Sequence, residues 1–248
     1  MIFIYKGPGV SEESYQQIKG CLEKIYGAHH RIDELTAEAV IQGDWAQDAT
    51  LFVMPGGADI PYMNALNGVG NIHIRTFVKK GGHYLGICAG AYYGTSFVSF
   101  NPDGPLTVQG PRELAFFQGT AHGPSLAPYD YNSHKGARLA ALRWGEEEIL
   151  LYAYYDGGCH FEGRPIQFDG VTVLARYDAP HTECHHKPAI IFLPYGQGRV
   201  VLSGVHFEYM PELLSDNDDD LKNLKAQMYA HKKTLETLQR YLFNRLGI

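Results

Sequence analysis

The sequence predicts an α/β fold with a parallel sheet flanked by helices, an antiparallel β-rich insertion over about residues 100–180, and a C-terminal helix. Three observations favour it. Short apolar runs alternate with helical patterns at the start of the chain, which is typical of strands and helices that build a parallel sheet. The middle of the chain is rich in glycine, proline, tyrosine and short β-like runs. The C-terminal segment carries apolar residues at helical spacing.

The first part of the chain supplies the strands and helices of the predicted parallel sheet. Three short apolar runs are predicted to be buried strands: Ile2–Tyr5, Leu51–Met54 and 84–87. A helix is predicted to begin after Ser11, because a serine N-cap precedes apolar residues at helical spacing. A second helix is predicted over 72–78 and ends at a glycine pair.

The remainder of the chain extends this core. We expect the insertion to be an antiparallel addition to the sheet, with strands at Ile149–Tyr155 and 171–177, and residues 1–248 to form a single domain. Segments 189–193 and 199–203 are predicted to pair as a hairpin. The acidic segment 216–220 would stabilise the start of the last helix. The apolar stripe of that helix predicts a docking face, and it consists of Leu221, Leu224, Met228, Leu235, Leu238 and Leu242.

Composition disfavours two classes of partner. The net charge is −6 and lysines and arginines are not clustered, so a nucleic-acid partner is not expected. No stretch approaches the ~20 apolar residues of a membrane span, and the N-terminus lacks the pattern of a signal peptide. The four cysteines are widely scattered, which indicates a reducing cytoplasm rather than a disulfide framework.

The clearest chemical signal is the segment Gly86-Ile87-Cys88-Ala89-Gly90. A predicted strand runs into a cysteine with glycine at both second neighbours, and a helix follows, as in a nucleophile elbow with cysteine in place of serine. A sharp turn of this kind strains the nucleophile and needs small neighbours. The amide of Ala89 would donate to a developing oxyanion, and the helix N-terminus would favour the thiolate. A buried cysteine in a glycine-rich strand end is the alternative.

A thiolate nucleophile needs a base, and the base needs a partner that orients it. His206 and Glu208 follow an apolar strand and are separated by one residue. In extended chain both side chains face the same side, so Glu208 can hold one imidazole nitrogen while the other faces Cys88. An exposed histidine–glutamate pair in a loop is the alternative. The three residues are therefore predicted to form a catalytic triad.

Other segments are predicted to line the same site. Gly56 and Gly57 follow a buried strand, and the amide of Gly57 is a candidate second oxyanion donor; an ordinary glycine-rich turn is the alternative. Gly157 and Gly158, with the polar residues that flank them in segment 156–160, are expected opposite Cys88, although a tight turn is equally compatible with them.

Two polar side chains are expected to complete the substrate pocket. Tyr92 lies four residues after the predicted nucleophile. Arg112 would suit a carboxylate ligand through paired hydrogen bonds, or form a structural pair with Glu113. Neither a cofactor nor a metal is expected. Segment 181–186 is dense in metal-capable side chains, but it lacks the second ligand pair of structural zinc sites.

These elements, in this order, resemble the class I glutamine amidotransferase superfamily, and more closely the biotin-protein ligase N-terminal domain family. The resemblance spans nearly the whole chain and rests on five segments around positions 4–9, 54–62, 85–93, 112–117 and 203–208. It implies a flavodoxin-like sheet, a nucleophile at Cys88, and His206 with Glu208 behind it. It implies no particular substrate.

Two departures from working glutaminases stand out. Tyr92 occupies the position where those enzymes usually carry a glutamine that helps hold substrate, and Phe207 stands where proline is common. We therefore expect a hydrolase or transferase acting on an amide or acyl carbon of a small molecule, with a protein partner possible and the oligomeric state open. Two alternatives are a non-catalytic ligand-binding or regulatory module that keeps the scaffold, and a redox-sensing cysteine at Cys88.

Overall fold

The computed structural model of the chain describes residues 1–101, 104 and 106–248. Across these residues the helices are α1 (Glu12–Tyr26), α2 (Ala37–Gln42), α3 (Asp59–Leu66), α4 (Val69–Lys79), α5 (Ala89–Tyr93) and α6 (Asp219–Leu246). The strands are β1 (Ile2–Tyr5), β2 (Ile32–Leu35), β3 (Leu51–Met54), β4 (His83–Ile87), β5 (Thr95–Phe100), β6 (Val108–Pro111), β7 (Phe117–Gly123), β8 (Arg138–Trp144), β9 (Ile149–Tyr155), β10 (His160–Glu162), β11 (Thr172–Tyr177), β12 (Pro188–Tyr195) and β13 (Gly198–Ser203).

The larger sheet has nine strands in the order β2-β1-β3-β4-β13-β12-β11-β8-β9. Strands from β2 to β13 pair in parallel, whereas those from β13 to β9 pair antiparallel. The predicted mixed α/β fold with a large sheet is confirmed, but the sheet is not parallel throughout. The short β12–β13 turn is one physical reason, because neighbouring strands joined so briefly can only run antiparallel.

The predicted insertion is divided between two sheets. Strands β8, β9 and β11 extend the larger sheet, whereas β10, β7, β5 and β6 form a second, four-stranded sheet. The expectation of antiparallel pairing is wrong for β5 and β7, which pair in parallel. Strand β6 pairs antiparallel with the other edge of β5, so the chain runs back along β6 before it crosses to β7, which can then run parallel to β5.

The parallel half of the sheet is covered on both faces. Ile2 and Ile4 join one apolar core, while Phe3 and Tyr5 join the core on the other side. Successive strand residues point to opposite faces, so a strand with both faces buried must be apolar at every position. This explains why β1, β3 and most of β4 read as continuous apolar runs rather than alternating ones.

The C-terminal helix behaves as the sequence predicts. Asp218 caps α6 by accepting from the amide of Asp220 at 3.0 Å. The predicted apolar stripe is buried along its whole length: Leu221, Leu224, Met228, Leu235, Leu238 and Leu242. The stripe is thus a docking face against the rest of the chain. Within the described part of the chain, no helix combines the length and the apolar character needed to cross a membrane.

Strand register brings the ends of three central strands to one level. Met54 of β3 pairs with Gly86 of β4, and Ile87 of β4 pairs with Ser203 of β13. The segments that follow these strands therefore emerge side by side at the carboxyl edge of the sheet. This edge is where ligands bind in open α/β sheets.

Candidate functional site

Cys88 occupies a sharp turn between β4 and α5. Its backbone has φ 50° and ψ −107°, a conformation that a non-glycine residue rarely adopts, and its amide is anchored to the Ser203 carbonyl at 2.8 Å. A β-carbon on Gly86 would lie 2.3 Å from the Gly90 carbonyl oxygen, and one on Gly90 would lie 2.0 Å from that of Met54. Both glycines are therefore required by the packing around this strained residue.

His206 and Glu208 lie in the segment after β13 and are buried. The Nδ1 of His206 and the Oε1 of Glu208 are 2.8 Å apart, and the Glu208 side chain has no exposed surface. The backbone amide of His206 donates to the Tyr154 carbonyl at 2.8 Å, which fixes the segment against β9. Because Glu208 holds Nδ1, the opposite ring nitrogen is left for Cys88.

The charges around His206 favour its protonated form. Burial alone would lower the pKa of His206, but the Glu208 carboxylate and the adjacent Cys88 outweigh it and raise that pKa well above its usual value. The rings of Tyr154 and Tyr209 flank the imidazole, with centroids 5.7 and 4.6 Å from it. The two aromatic rings therefore pack against the imidazole.

The two candidate oxyanion donors line the same cavity as Cys88. Within the described chain the amides of Gly57 and Ala89 have no hydrogen-bond acceptor, so both can donate to a ligand. Gly57 has φ +142°, and a β-carbon there would lie 2.0 Å from the Gly9 carbonyl oxygen. Helix α5 has only five residues, so its dipole supports a thiolate less than a full-length helix would.

Gly56 has a different position from the one expected of a substrate-binding residue. Its amide donates to the Ser14 hydroxyl at 2.8 Å and is already satisfied. A β-carbon on Gly56 would lie only 2.7 Å from the Cε1 atom of His206. Gly56 therefore makes room for the imidazole rather than contacting a ligand.

The other predicted pocket residues separate into two groups. Tyr92 and Gly157 line the cavity, where the Tyr92 hydroxyl donates to the Gly157 carbonyl at 3.0 Å. Gly158 lies behind the wall: a β-carbon there would be 1.6 Å from the Gly204 carbonyl oxygen, so its role is close backbone packing.

Arg112 is not available to a carboxylate ligand. Its side chain is 1% exposed and its guanidinium bonds Asp59 at 2.7 and 2.8 Å. The alternative pairing with Glu113 is also wrong, since that carboxylate accepts from Gly68 and Asn71. Arg112 therefore fixes the turn that carries Gly57.

The cavity above Cys88 has a volume of about 790 Å³, which is the size of a small-molecule site. Apolar and aromatic side chains from β5 and β6 form one wall, and polar residues from α1 and segment 129–134 form another. A second depression of 970 Å³ lies between β10 and β11 and holds none of the predicted site residues. In the part of the chain described, no three histidine, cysteine or carboxylate side chains are arranged to hold a metal.

Two charged residues of the cavity wall, Glu13 and His134, were not predicted from the sequence, whereas Asp156 is one of the polar residues that flank the predicted glycine pair. His134 lies 3.1 Å from a Glu13 oxygen and 2.7 Å from an Asp218 oxygen. These two carboxylates raise the pKa of His134 to about 9, with Glu13 the stronger and burial opposing both. The contacting residues lie far apart in the chain, so no local pattern could have revealed them.

Replacing His134 by glutamine is expected to destabilise the protein in a pH-dependent way. A histidine whose pKa rises on folding stabilises the folded state fully below its unfolded pKa, and this contribution is lost as pH rises through about 9. After allowance for solvent screening, we expect the substitution to lower the free energy of unfolding by about 1 kcal/mol at pH 6 and to leave it almost unchanged at pH 10. Urea unfolding at both pH values measures it, with the exposed His29→Gln as control. Equal losses at both pH values would contradict the ion-pair account.

Fold and site together define a mixed α/β protein in which a strained cysteine lies beside a buried histidine–glutamate pair. The chain belongs to the family described as biotin-protein ligase, N terminal, whose model matches residues 1–248.

Two relatives and two solved structures resemble the chain. A protein of Chlamydia muridarum, named only as uncharacterized, is 40% identical over 82% of this chain and 77% of its own length. A biotin–protein ligase of Schizosaccharomyces pombe is 34% identical over 93% of this chain, which spans only 37% of that ligase. In fold, the chain is similar to Thermotoga maritima PurLQS (TM-score 0.56, 13% identity, 92% of this chain and 98% of that one). It is also similar to a ThuA-like protein of Bacteroides uniformis (TM-score 0.52, 14% identity, 92% and 89%).

Proposed function

We propose that residues 1–248 form one glutamine-amidotransferase-like domain, with a flavodoxin-like core, that attacks an amide or acyl carbon through Cys88, His206 and Glu208. One observation carries the proposal. A cysteine in a strained turn opens into a cavity beside a buried imidazole whose other nitrogen is held by a carboxylate 2.8 Å away. This is the nucleophile, base and orienting group that acyl transfer requires.

The proposed reaction has two stages. The Cys88 thiolate attacks the carbonyl carbon, and the amides of Gly57 and Ala89 stabilise the negative oxygen of the tetrahedral adduct. His206 then gives a proton to the leaving group as the carbon–leaving-group bond breaks, which leaves an acyl group on sulfur. Water or an acceptor nucleophile attacks the thioester, His206 takes back a proton, and the thiolate is restored.

Biotin–protein ligation is the process in which we propose that this reaction takes part. The family and the Schizosaccharomyces pombe relative carry that name, and the chain corresponds to about a third of that ligase. A biotin–protein ligase is therefore the proposed protein partner.

Tyr92 favours a second candidate function, a ligand-binding module without catalysis. Its buried ring stands where a glutaminase would hold substrate, and its hydroxyl is tied to Gly157. Such a module would bind small acyl compounds without forming a covalent adduct.

Acyl-group trapping tests the two functions against each other. The protein is treated briefly with p-nitrophenyl acetate at pH 7, and peptides are analysed by mass spectrometry. We expect the acetyl group on Cys88 and not on Cys21, Cys159 or Cys184, which are at most 1% exposed. A Cys88→Ala variant controls for acetylation elsewhere. An unmodified Cys88 would overturn the catalytic proposal and favour the binding module.

A further inference from the structure

The charges of the cavity wall are unbalanced. Three carboxylates line the cavity, from Glu13, Asp59 and Asp156, and the lining residues in the described chain include no lysine or arginine. Asp59 is paired with Arg112 behind the wall, and Glu13 is paired with His134. Two of the three negative charges are thus already compensated.

Asp156 is the lining carboxylate that has no ion-pair partner among the residues that the structure describes, and its Oδ1 atom has no hydrogen-bond partner there. Burial raises the pKa of Asp156 to about 6, and the nearby His206 and His134 oppose this rise. Near neutral pH the side chain therefore carries a negative charge that an incoming cation would stabilise.

The position of Asp156 connects this charge with the proposed reaction. Its backbone carbonyl lies 3.7 Å from the Cys88 sulfur, and both residues line the same cavity. Aromatic side chains surround the same space: Phe100, Tyr129, Tyr131, Tyr154 and Tyr209. Aromatic faces and a carboxylate together favour an ammonium group.

The rest of the wall defines the remainder of the ligand. Val98, Leu106 and Val108 give the cavity an apolar side opposite the polar one. An apolar chain can lie there while its carbonyl reaches Cys88. A ligand carboxylate would find no free cation among the described lining residues. Arg112 is enclosed by Asp59 and two backbone carbonyls, and the imidazoles of His134 and His206 are already paired with carboxylates.

We propose that the cavity binds an amide or acyl substrate with an ammonium group at one end of an apolar chain and no carboxylate, and that Asp156 binds the ammonium group. The inference deepens the proposed function and rests on it. Free glutamine, which carries both charges, would be a poor ligand because its carboxylate has no partner here.

Binding to Cys88→Ala protein tests the proposal without any chemistry. Three acetamides with the same five-carbon chain are compared by calorimetric titration at pH 7.5. N-acetylcadaverine is cationic, N-pentylacetamide is neutral and 6-acetamidohexanoate is anionic. We expect the cation to bind at least about 10-fold more tightly than the neutral amide, and the anion more weakly than either. Adding Asp156→Asn should abolish the preference for the cation. Adding Glu12→Gln, an exposed carboxylate outside the cavity, should leave it unchanged.

Each other outcome overturns the proposal. Equal affinities, tighter binding of the anion, absence of binding by the cation, or a preference that survives Asp156→Asn would all exclude the assigned role. None of these results bears on whether Cys88 is acylated in the unsubstituted protein. Failure of the substrate class and failure of the catalytic mechanism are therefore measured separately.

Discussion

Replacing Glu208 by glutamine is expected to slow acylation of Cys88 at neutral pH by about 100-fold or more. The two side chains have the same shape, so the glutamine oxygen can still accept from Nδ1 of His206 and keep the ring in place. The negative charge, however, is lost. Because the Glu208 carboxylate raises the pKa of His206, its removal lowers that pKa and leaves less imidazolium beside the sulfur.

The pH dependence separates this electrostatic effect from misfolding. The variant should regain part of its rate above neutral pH, where the thiolate forms without help from an imidazolium. Thermal unfolding of both proteins at each pH serves as the control for folding. A variant with unchanged acylation rates at pH 6 to 7, measured by release of p-nitrophenol, would exclude Glu208 from the mechanism.

Replacing Gly56 by alanine is expected to reduce the acylation rate by about 100-fold while the protein remains folded. The new β-carbon would lie 2.7 Å from the His206 ring and 2.9 Å from the Ser14 hydroxyl, so the imidazole must move. Gly56 does not require a positive φ, and hence alanine brings no backbone strain of its own. The predicted loss comes from displacement of the base by a fraction of an ångström.

Gly70→Ala is the matched control for that change. Gly70 lies in α4, and its added β-carbon would contact only side-chain atoms of Leu66 and Ile41 at 3.2 to 3.6 Å. Because Gly70 does not line the cavity, the Gly70→Ala substitution should leave the acylation rate unchanged. A Gly56→Ala protein that acylates as fast as this control would show that His206 tolerates displacement, against the proposed role.

Local sequence patterns predict the parts of the fold that depend on neighbouring residues. The continuous apolar run at Leu51–Met54 correctly predicts a strand, because a strand that is buried on both faces must be apolar at every position. The spacing of leucines correctly predicts the last helix, because that helix buries one apolar stripe. The division of the insertion between two sheets depends on long-range pairing of β5 with β7, and nothing within either strand specifies it.

The same distinction holds for the site. Cys88 is predictable because such a turn needs a glycine on each side of the cysteine. His206 and Glu208 are predictable as a pair because they share one short segment. Arg112 shows the limit of this reasoning. Its partner Asp59 is 53 residues away, so the sequence suggested a ligand contact or a pair with Glu113 where the structure has a buried ion pair.

Asp156 was only partly predictable. In sequence it flanks two glycines that are expected opposite Cys88, although it also resembles an ordinary turn residue. The fold places its backbone carbonyl beside the Cys88 sulfur and gives its carboxylate no ion-pair partner among the described residues. The ligand preference proposed for Asp156 therefore depends on packing, which sequence spacing does not specify.

The rate of alkylation of each cysteine as a function of pH tests the central claim most directly. Iodoacetamide is applied between pH 5 and 9 and each peptide is quantified by mass spectrometry, with Cys21, Cys159 and Cys184 as internal references. We expect Cys88 to react selectively and already at neutral pH, where an ordinary thiol is mostly protonated, because the imidazolium of His206 lies beside its sulfur. A Cys88 that reacts at neutral pH no faster than an ordinary thiol, or no faster than the three buried cysteines, would contradict an activated nucleophile at this site.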